Sequence, residues 1–438
     1  MVRRLLIAVA LAACDPNLPS KIPCQTNDNC PYGLGCNLTA RVCVEVLGCG
    51  DNNGGGPCFY GSPMSPGVVL NGSGATVTWS PGNTPNNASG FAVLRATAQA
   101  GPYAVVGTVT PYTTQQSSFN DPGPLAPGTT YWYEVATSWP QNVVGTPSPA
   151  TSLMVPHWMP RAPMFTSRYG LAAATINGVI YAVGGYSTST SLTTLEAYDP
   201  VADTWSSKAD MPTARAYLGA GVVNGSLYAV GGGCNCSGGP ASVTTLEAYD
   251  PVAGTWSSNA PMPTARSDLA AAVVNGVLYA VGGSGSGSTV EAYDPGSNTW
   301  SAKAPLPTAR YDLAAAVVGG LIYAVGGVDS RANRLATVEA YDPVANTWTT
   351  KANMPTPRQG PAVGVVGGIL YVVGGTSGFG AYTVVEAYDP VANSWSTKDP
   401  MREARAFPGV AVAGGLLFVM GGYGQTGPGL SSLEAFTP

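Results

Sequence analysis

The sequence predicts an all-β protein: a six-bladed β-propeller, preceded by a β-sandwich and a small cysteine-rich, disulfide-bonded segment. Three observations predict it. Gly-Gly pairs begin at 184, 231, 282, 326, 374 and 421, spaced 44–51 residues apart. A period of that size with four strand-like pieces per copy is the signature of a propeller blade. Before each Gly-Gly strand stands an Asn-Gly or Gly-Gly turn, such as Asn275-Gly276 or Gly367-Gly368, and these dipeptides favour two-residue hairpins. Finally, charged residues make up 10% of the 438, with 57 glycines and 38 prolines. A typical domain carries roughly 25% charge, so coiled coils and charged helical bundles are excluded, and the apolar content excludes a wholly disordered chain.

The amino terminus reads as an address. Arg3 and Arg4 precede an apolar run, Leu5 to Ala13, far short of the ~20 residues needed to span a bilayer. This is the pattern of a signal peptide over 1–13. Leu11-Ala12-Ala13-Cys14 resembles a bacterial lipobox, which implies acylation of Cys14 and a membrane partner reached through the lipid anchor. The alternative is an ordinary signal peptide with a coincidental cysteine. The location implied is the bacterial cell envelope, at the outer membrane or cell surface, although Asp15 resembles an inner-membrane retention signal in enterobacteria.

Residues 14–59 hold Cys24, Cys30, Cys36, Cys43, Cys49 and Cys58 with little periodic apolar pattern. Such a segment cannot bury a core and needs staples. Three disulfides are expected, with 15 connectivities open, and a cysteine-rich zinc site is the rival reading. Cys234 and Cys236 sit in a glycine-rich loop, either as an i,i+2 disulfide or as two thiols.

Residues 60–155 read as short strands, among them Val68–Leu70, Ala75–Trp79, Phe91–Ala96, Tyr103–Val109 and Thr130–Thr137, between turn clusters. That pattern suggests a seven-stranded sandwich. Leu125-Ala126-Pro127-Gly128-Thr129-Thr130-Tyr131 followed by Trp132-Tyr133-Glu134-Val135 resembles the strand E–F corner of fibronectin type III domains. The resemblance implies that the Tyr131 hydroxyl bonds back to the preceding loop and that Trp79 is buried. A spacer role is the default.

Residues 156–438 carry the repeat. After each Gly-Gly come a loop of varying length, a variant of Glu-Ala-Tyr-Asp-Pro, a tryptophan (205, 256, 300, 348, 395) and a stop like Pro-Thr-Ala-Arg. The apolar runs suit strands buried on both faces. The repeated tyrosines offer large area between blades. The recurring Glu (196, 247, 291, 339, 386, 434) and Arg (168, 215, 266, 310, 358, 405) are most simply partners that hold loops. These residues in this order resemble the kelch family, a resemblance covering nearly two thirds of the chain. The last copy stops at Leu433-Glu434-Ala435-Phe436 without a tryptophan, and His157-Trp158-Met159-Pro160 matches the missing piece. Trp158 is therefore expected to supply the outer strand of the last blade, which removes free sheet edges.

Positions that differ among copies are the better site candidates. The residue after Gly-Gly is Tyr186, Gly233, Ser284, Val328, Thr376 or Tyr423, and two after the repeated arginine stand Gly170, Tyr217, Asp268, Asp312, Gly360 and Phe407. In kelch substrate adaptors the first position and the repeated arginines line a peptide-binding mouth. By that resemblance Tyr186 and Tyr423, in adjacent blades, stack a ligand ring or peptide, and Tyr217 is a further candidate from the second position. Asp268 and Asp312, beside Arg266 and Arg310, are expected to bind sugar hydroxyls, a cation or a basic side chain, or to work as acid and base. Arg331 and Arg334 lie in the most charged variable loop.

One histidine, His157, excludes metal sites that need two imidazoles. No metal or cofactor is expected. Net charge is −5 without a Lys/Arg cluster, which argues against nucleic acid. The expectation is a non-catalytic, envelope-anchored lipoprotein that binds a protein or glycan through the propeller's loop face. The alternative is a carbohydrate-active enzyme resembling the sialic-acid mutarotases.

Overall fold

A computed structural model describes most of residues 66–438 and the strand backbones Leu34–Asn37 and Val42–Glu45. Outside the description lie the other residues before 66, together with 72–73, 81–88, 111–117, 140–142, 146, 156, 237–238, 286, 426 and 428. The expectations for Cys14, Cys24, Cys30, Cys49 and Cys58 fall there. For Cys36, Cys43, Cys234 and Cys236 only the backbone is described. The chain divides into two compact units, Met1–Pro156 and His157–Pro438.

In the first unit, Gly67–Asn71, Gly74–Thr78 and Ser118–Asp121 form a three-stranded antiparallel sheet. The long strand Thr130–Trp139 pairs with Gly90–Ala96 and Thr151–Met154, and Ala104–Val109 continues that second sheet. Ala75, Val77, Phe91, Val93, Tyr133 and Val135 are fully buried, as alternation on two facing sheets requires. Asp121 clamps the sheets, accepting from Arg95 Nη1 at 2.6 Å and from the Tyr133 hydroxyl at 2.8 Å. Trp79 is buried, edge-on to Phe91, and the Ala126 N–H donates to the Tyr131 hydroxyl at 2.9 Å. The backbone of Leu34–Asn37 and Val42–Glu45 forms a hairpin with Cys36 and Cys43 as Cα partners, and it joins the second sheet through Val143–Val144.

The second unit is six four-stranded antiparallel sheets. The first blade runs Ala172–Ile176, Val179–Val183, Leu195–Asp199 and Thr204–Ser207, innermost to outermost. Innermost strands of successive blades touch around a closed ring. The last blade takes its outer strand from the start of the unit: Trp158–Arg161 pairs with Leu433–Phe436, Trp158 opposite Phe436. The truncated last copy is completed in this way. Asn177 and Gly178 both take positive φ, 50° and 83°, as a type I′ hairpin demands. One element went unread in the sequence: Gly233–Cys236 and Gly239–Ser242 pair as a hairpin. Its Gly, Pro and Ser residues have weak strand propensity, so it reads as loop.

Three repeated contacts join neighbouring blades. Tryptophan Nε1 donates to a backbone carbonyl of the preceding blade, as from Trp205 to Ala162 at 2.7 Å and Trp300 to Ala260 at 2.8 Å. The buried tyrosine hydroxyl and a backbone N–H of the preceding blade converge on one Asx oxygen. Asn346 Oδ1 thus accepts from Tyr341 at 2.6 Å and from Ala304 at 2.8 Å. The second glycine of each Gly-Gly pair donates to the carbonyl of the next blade's repeated arginine at 2.8–3.1 Å, for example Gly185 to Arg215. A Cβ on Gly184 would sit 2.5 Å from that same carbonyl, so the close approach admits glycine alone.

Within each blade the repeated Arg and Glu form a buried ion pair. Arg215 Nη2 to Glu247 Oε2 is 2.8 Å and Arg266 Nη2 to Glu291 Oε2 is 2.7 Å. The guanidiniums also donate to carbonyls at the Gly-Gly end, as Arg266 does to Gly282 and Thr289. Burial and pairing of this kind lock loop geometry, and losing one partner leaves an uncompensated charge.

Candidate functional site

The sequence after each repeated arginine turns toward the propeller axis. Gly170, Tyr217, Asp268, Asp312, Gly360 and Phe407 all adopt positive φ, between 53° and 60°. That left-handed turn aims each N–H at the carbonyl of the preceding member. The result is a closed ring: Tyr217 to Gly170, Asp268 to Tyr217, Asp312 to Asp268, Gly360 to Asp312, Phe407 to Gly360 and Gly170 to Phe407, at 2.7–2.9 Å. Asp tolerates this conformation, but an aromatic residue there is strained, by about 1–2 kcal/mol. Strain held in place by its surroundings concentrates at functional sites. Room for the two aromatics comes from their neighbours, because a Cβ on Gly360 would lie 2.4 Å from the Phe407 ring.

Around this ring runs a second circle of backbone pairs, joining the residue after the arginine to the residue after Gly-Gly: Tyr169 with Tyr186, Gln359 with Thr376, Ala406 with Tyr423. Of these, Tyr169, Gln359, Thr376, Ala406 and Tyr423, with Tyr217 and Phe407, wall a cavity of about 760 Å³. Arg334, Phe379 and Gln425 complete its rim. Tyr169 stands between Tyr186 and Tyr423, each ring centroid 5.6 Å away, and Tyr217 meets Phe407 edge-on at 5.5 Å. Among the described residues the wall carries one charged side chain, Arg334, and no carboxylate. A mouth of aromatic faces with amide, hydroxyl and guanidinium groups can stack a flat face and hydrogen-bond its edge.

Beside it lies a polar cluster. Asp268 and Asp312 are hydrogen-bonded to one another, and burial raises both carboxyls above the usual range, Asp312 well above it, with the neighbouring carboxylate adding to the effect. The Ser267 hydroxyl donates to Asp268 Oδ2 at 2.6 Å, and the hydroxyls of Ser242, Ser267 and Ser284 lie 3.0–3.2 Å apart. Asp268 and Ser284 open onto a smaller cavity of about 210 Å³ with Tyr311 and Ser330.

Comparisons with known proteins bear on this unit. The model of the Kelch motif matches residues 167–212 and 214–263, and that of the KLHDC2/KLHL20/DRC7 Kelch-repeats domain matches 259–422. Residues 157–438 form a kelch-repeat propeller. A solved structure entitled "Structure of YjhT" is similar in fold, with a TM-score of 0.55 at 17% identity over 62% of this chain and 95% of that one.

The kelch propeller brings some of the sequence-derived site residues together and disperses others. Tyr217, Tyr423 and Arg334 line the larger cavity. Tyr186 is not part of that cavity's lining, and Tyr169 packs on both Tyr186 and Tyr423. Asp268 and Asp312 are neighbours on adjacent blades, as expected of that position, and they sit on the axial ring rather than on the larger cavity's wall. Arg331 is exposed in its loop, where Asp329 Oδ1 accepts its backbone N–H. Arg266 and Arg310 are a correction. Their side chains are fully shielded and ion-paired with Glu291 and Glu339. Burial would make the charge costly to strip of its partner, so neither guanidinium is available to a ligand. The repeated arginines of this kelch propeller hold blades and are not on the larger cavity's wall, although Arg310 borders the smaller cavity.

Tyr169, Gln359, Phe379 and Gln425 were missed. Tyr169 and Gln359 occupy a position that also varies from copy to copy, so the comparison of repeats that singled out Tyr186 could have found them. Phe379 and Gln425 lie in kelch loops of unequal length, which have no common register to compare.

Proposed function

We propose that this protein is an envelope-anchored bacterial lipoprotein whose kelch propeller binds a protein or glycan ligand at the aromatic mouth, without catalysis. The observation that carries this reading is the cavity of about 760 Å³ walled by Tyr169, Tyr217, Phe407 and Tyr423. Two of these rings come from the strained axial turn, which architecture alone does not require, since Gly170 and Gly360 close the same ring. The anchor rests on Arg3, Arg4, the apolar run to Ala13 and Cys14. The first unit is read as a fibronectin type III-like spacer, supported by the Ala126–Tyr131 hydrogen bond, the burial of Trp79 and the three-stranded sheet facing a larger one.

The test is retention of envelope proteins and glycans on immobilised full chain, wild type against Tyr423→Ala and Tyr169→Ala. Specific retention lost in both variants supports the reading. Absence of retention at any salt concentration removes it. Cleavage before Cys14 with an acyl mass on that residue tests the anchor, and Cys14→Ser should abolish it.

A second reading, a sugar-converting enzyme of the sialic-acid mutarotase type, is favoured by one observation. Burial raises the Asp268 and Asp312 carboxyls above the usual range, Asp312 well above it, and acid–base catalysis uses a carboxyl raised in this direction. The likeness to YjhT speaks to fold alone. Sialic-acid anomer exchange followed by NMR decides, and an unchanged rate with added protein retires this reading.

A further inference from the structure

The one charged side chain on the larger cavity's wall, among the described residues, is an arginine whose charge is unanswered. The six repeated arginines of the propeller are each paired with a glutamate. Arg334 enters no ion pair among the described residues. Its one side-chain hydrogen bond among them runs from Nη1 to the Ala332 carbonyl at 3.0 Å, and its buried Nε has no partner there. Asp329, the acidic residue of the same loop, is committed elsewhere. Its Oδ1 accepts the backbone N–H groups of Arg331 and Asn333, and its Oδ2 accepts from Asn333 Nδ2, each at 2.9 Å. Asp268 and Asp312 do not line this cavity.

The guanidinium nevertheless has a built seat. It belongs to the fourth blade and lies against Gly378 of the fifth, where a Cβ would stand 2.8 Å from Arg334 Cζ and closer still to Nη2. Gly378 has φ 99°, a conformation open to glycine. Thr376 fixes this turn: its hydroxyl accepts the Gly378 N–H at 2.8 Å and donates to the Gly380 carbonyl at 2.7 Å. The same turn carries Phe379, fully exposed at the cavity's rim. An arginine carries five N–H donors in a rigid fork. Seated here with most of them unspent, it is preorganised for a carboxylate, which a guanidinium meets with two parallel hydrogen bonds. Phe379 and the partly exposed Tyr423 offer ring faces in the same cavity, and a bare inorganic anion would leave those faces in water.

We propose that the aromatic cavity selects ligands that join a ring face to a carboxylate, with Arg334 taking the carboxylate and Tyr423 and Phe379 the ring. The proposal rests on the reading of that cavity as the ligand site and names the chemistry it selects: the group engaged on a protein or glycan is an acidic one.

The test uses three probes built on one ring, indole-3-acetate, indole-3-acetamide and tryptamine, titrated calorimetrically into the full chain at about pH 7, where they are anionic, neutral and cationic. The acetate should bind about tenfold tighter than the acetamide, as hydrogen bonds to a charged group allow, and tryptamine should bind least. Arg334→Gln should bring the acetate down to the acetamide's affinity and leave the acetamide unchanged. Gly378→Ala, which unseats the guanidinium without removing it, should likewise weaken the acetate alone. Equal affinity for acetate and acetamide, or a preference for the acetate that survives Arg334→Gln, overturns the proposal and leaves the cavity reading standing where Tyr423→Ala abolishes binding. Failure of all three probes to bind, or binding indifferent to Tyr423→Ala, overturns both.

Discussion

Asp312 donates its backbone N–H to the carbonyl of Asp268 at 2.9 Å while the two side chains hydrogen-bond to each other. Adjacent blades are thus joined twice at one point of the axial ring, once by a neutral bond and once by a bond that needs a proton.

Stability should therefore depend on pH in a definite direction. Burial raises both carboxyls above the value of an unfolded chain, ~3.9, so between that value and the raised one the folded state holds a proton that the unfolded state has released. Their contribution is complete below the unfolded value and is lost as pH rises through the folded one. Urea unfolding between about pH 4 and pH 8 should show a fall of roughly 1 kcal/mol for each pH unit by which a group is raised. Asp312→Asn should flatten that slope and stabilise the protein near neutrality. A slope unchanged in the variant would refute the assignment.

The buried ion pairs should show strong non-additivity. Glu247→Gln removes the counter-charge of a fully shielded Arg215 and should cost about 3–5 kcal/mol. Arg215→Met/Glu247→Leu, which replaces both charges with apolar volume, should cost much less than the sum of the single changes. The cycle is read from denaturant midpoints, and additive values would mean that the pair is not coupled.

Closure of the ring predicts a local effect of Trp158→Ala. Trp158 packs on Phe436 at 4.8 Å between ring centroids, and its Nε1 donates to the Asp399 carbonyl at 2.8 Å. The change should cost about 3–5 kcal/mol. Hydrogen exchange should show lost protection first in Leu433–Phe436, the strand that pairs with Trp158–Arg161, with the second and third blades, across the ring, least affected.

Gly360→Ala should damage the mouth. The added Cβ meets the Phe407 ring at 2.4 Å and the backbone has φ 57°, so about 1–3 kcal/mol of strain is expected together with weaker probe binding. Adding Phe407→Leu should recover stability without restoring affinity, because the clash goes but so does an aromatic wall. Recovery of both would show that Phe407 is a spacer and not part of the site.

Much of the propeller was legible because its signals are local. Asn-Gly turns, alternating apolar runs and Gly-Gly ends recur at a nearly constant spacing, and each states a backbone requirement that does not depend on distant partners. The incomplete final copy even disclosed its completion by Trp158, since a missing tryptophan at one end matched a surplus one at the other. The site was less legible. Comparison of copies picked out Tyr217, Tyr423, Asp268 and Asp312, and the charge of its loop picked out Arg334, but the resemblance to kelch adaptors enrolled Arg266 and Arg310, whose charge suggests exposure. Only the fold reveals that Glu291 and Glu339 meet them in the interior.

The sequence by itself determined the all-β class, the repeat, the blade boundaries and the need for a closing strand, because turn chemistry and strand period act over a few residues. Tertiary structure alone decided which variable side chains face one cavity, that Tyr169 packs on both Tyr186 and Tyr423, and that Asp268 and Asp312 share a hydrogen bond. Those relations join residues roughly 15 to 250 positions apart. They are set by how blades rotate about a common axis, a geometry that appears only once the ring has closed.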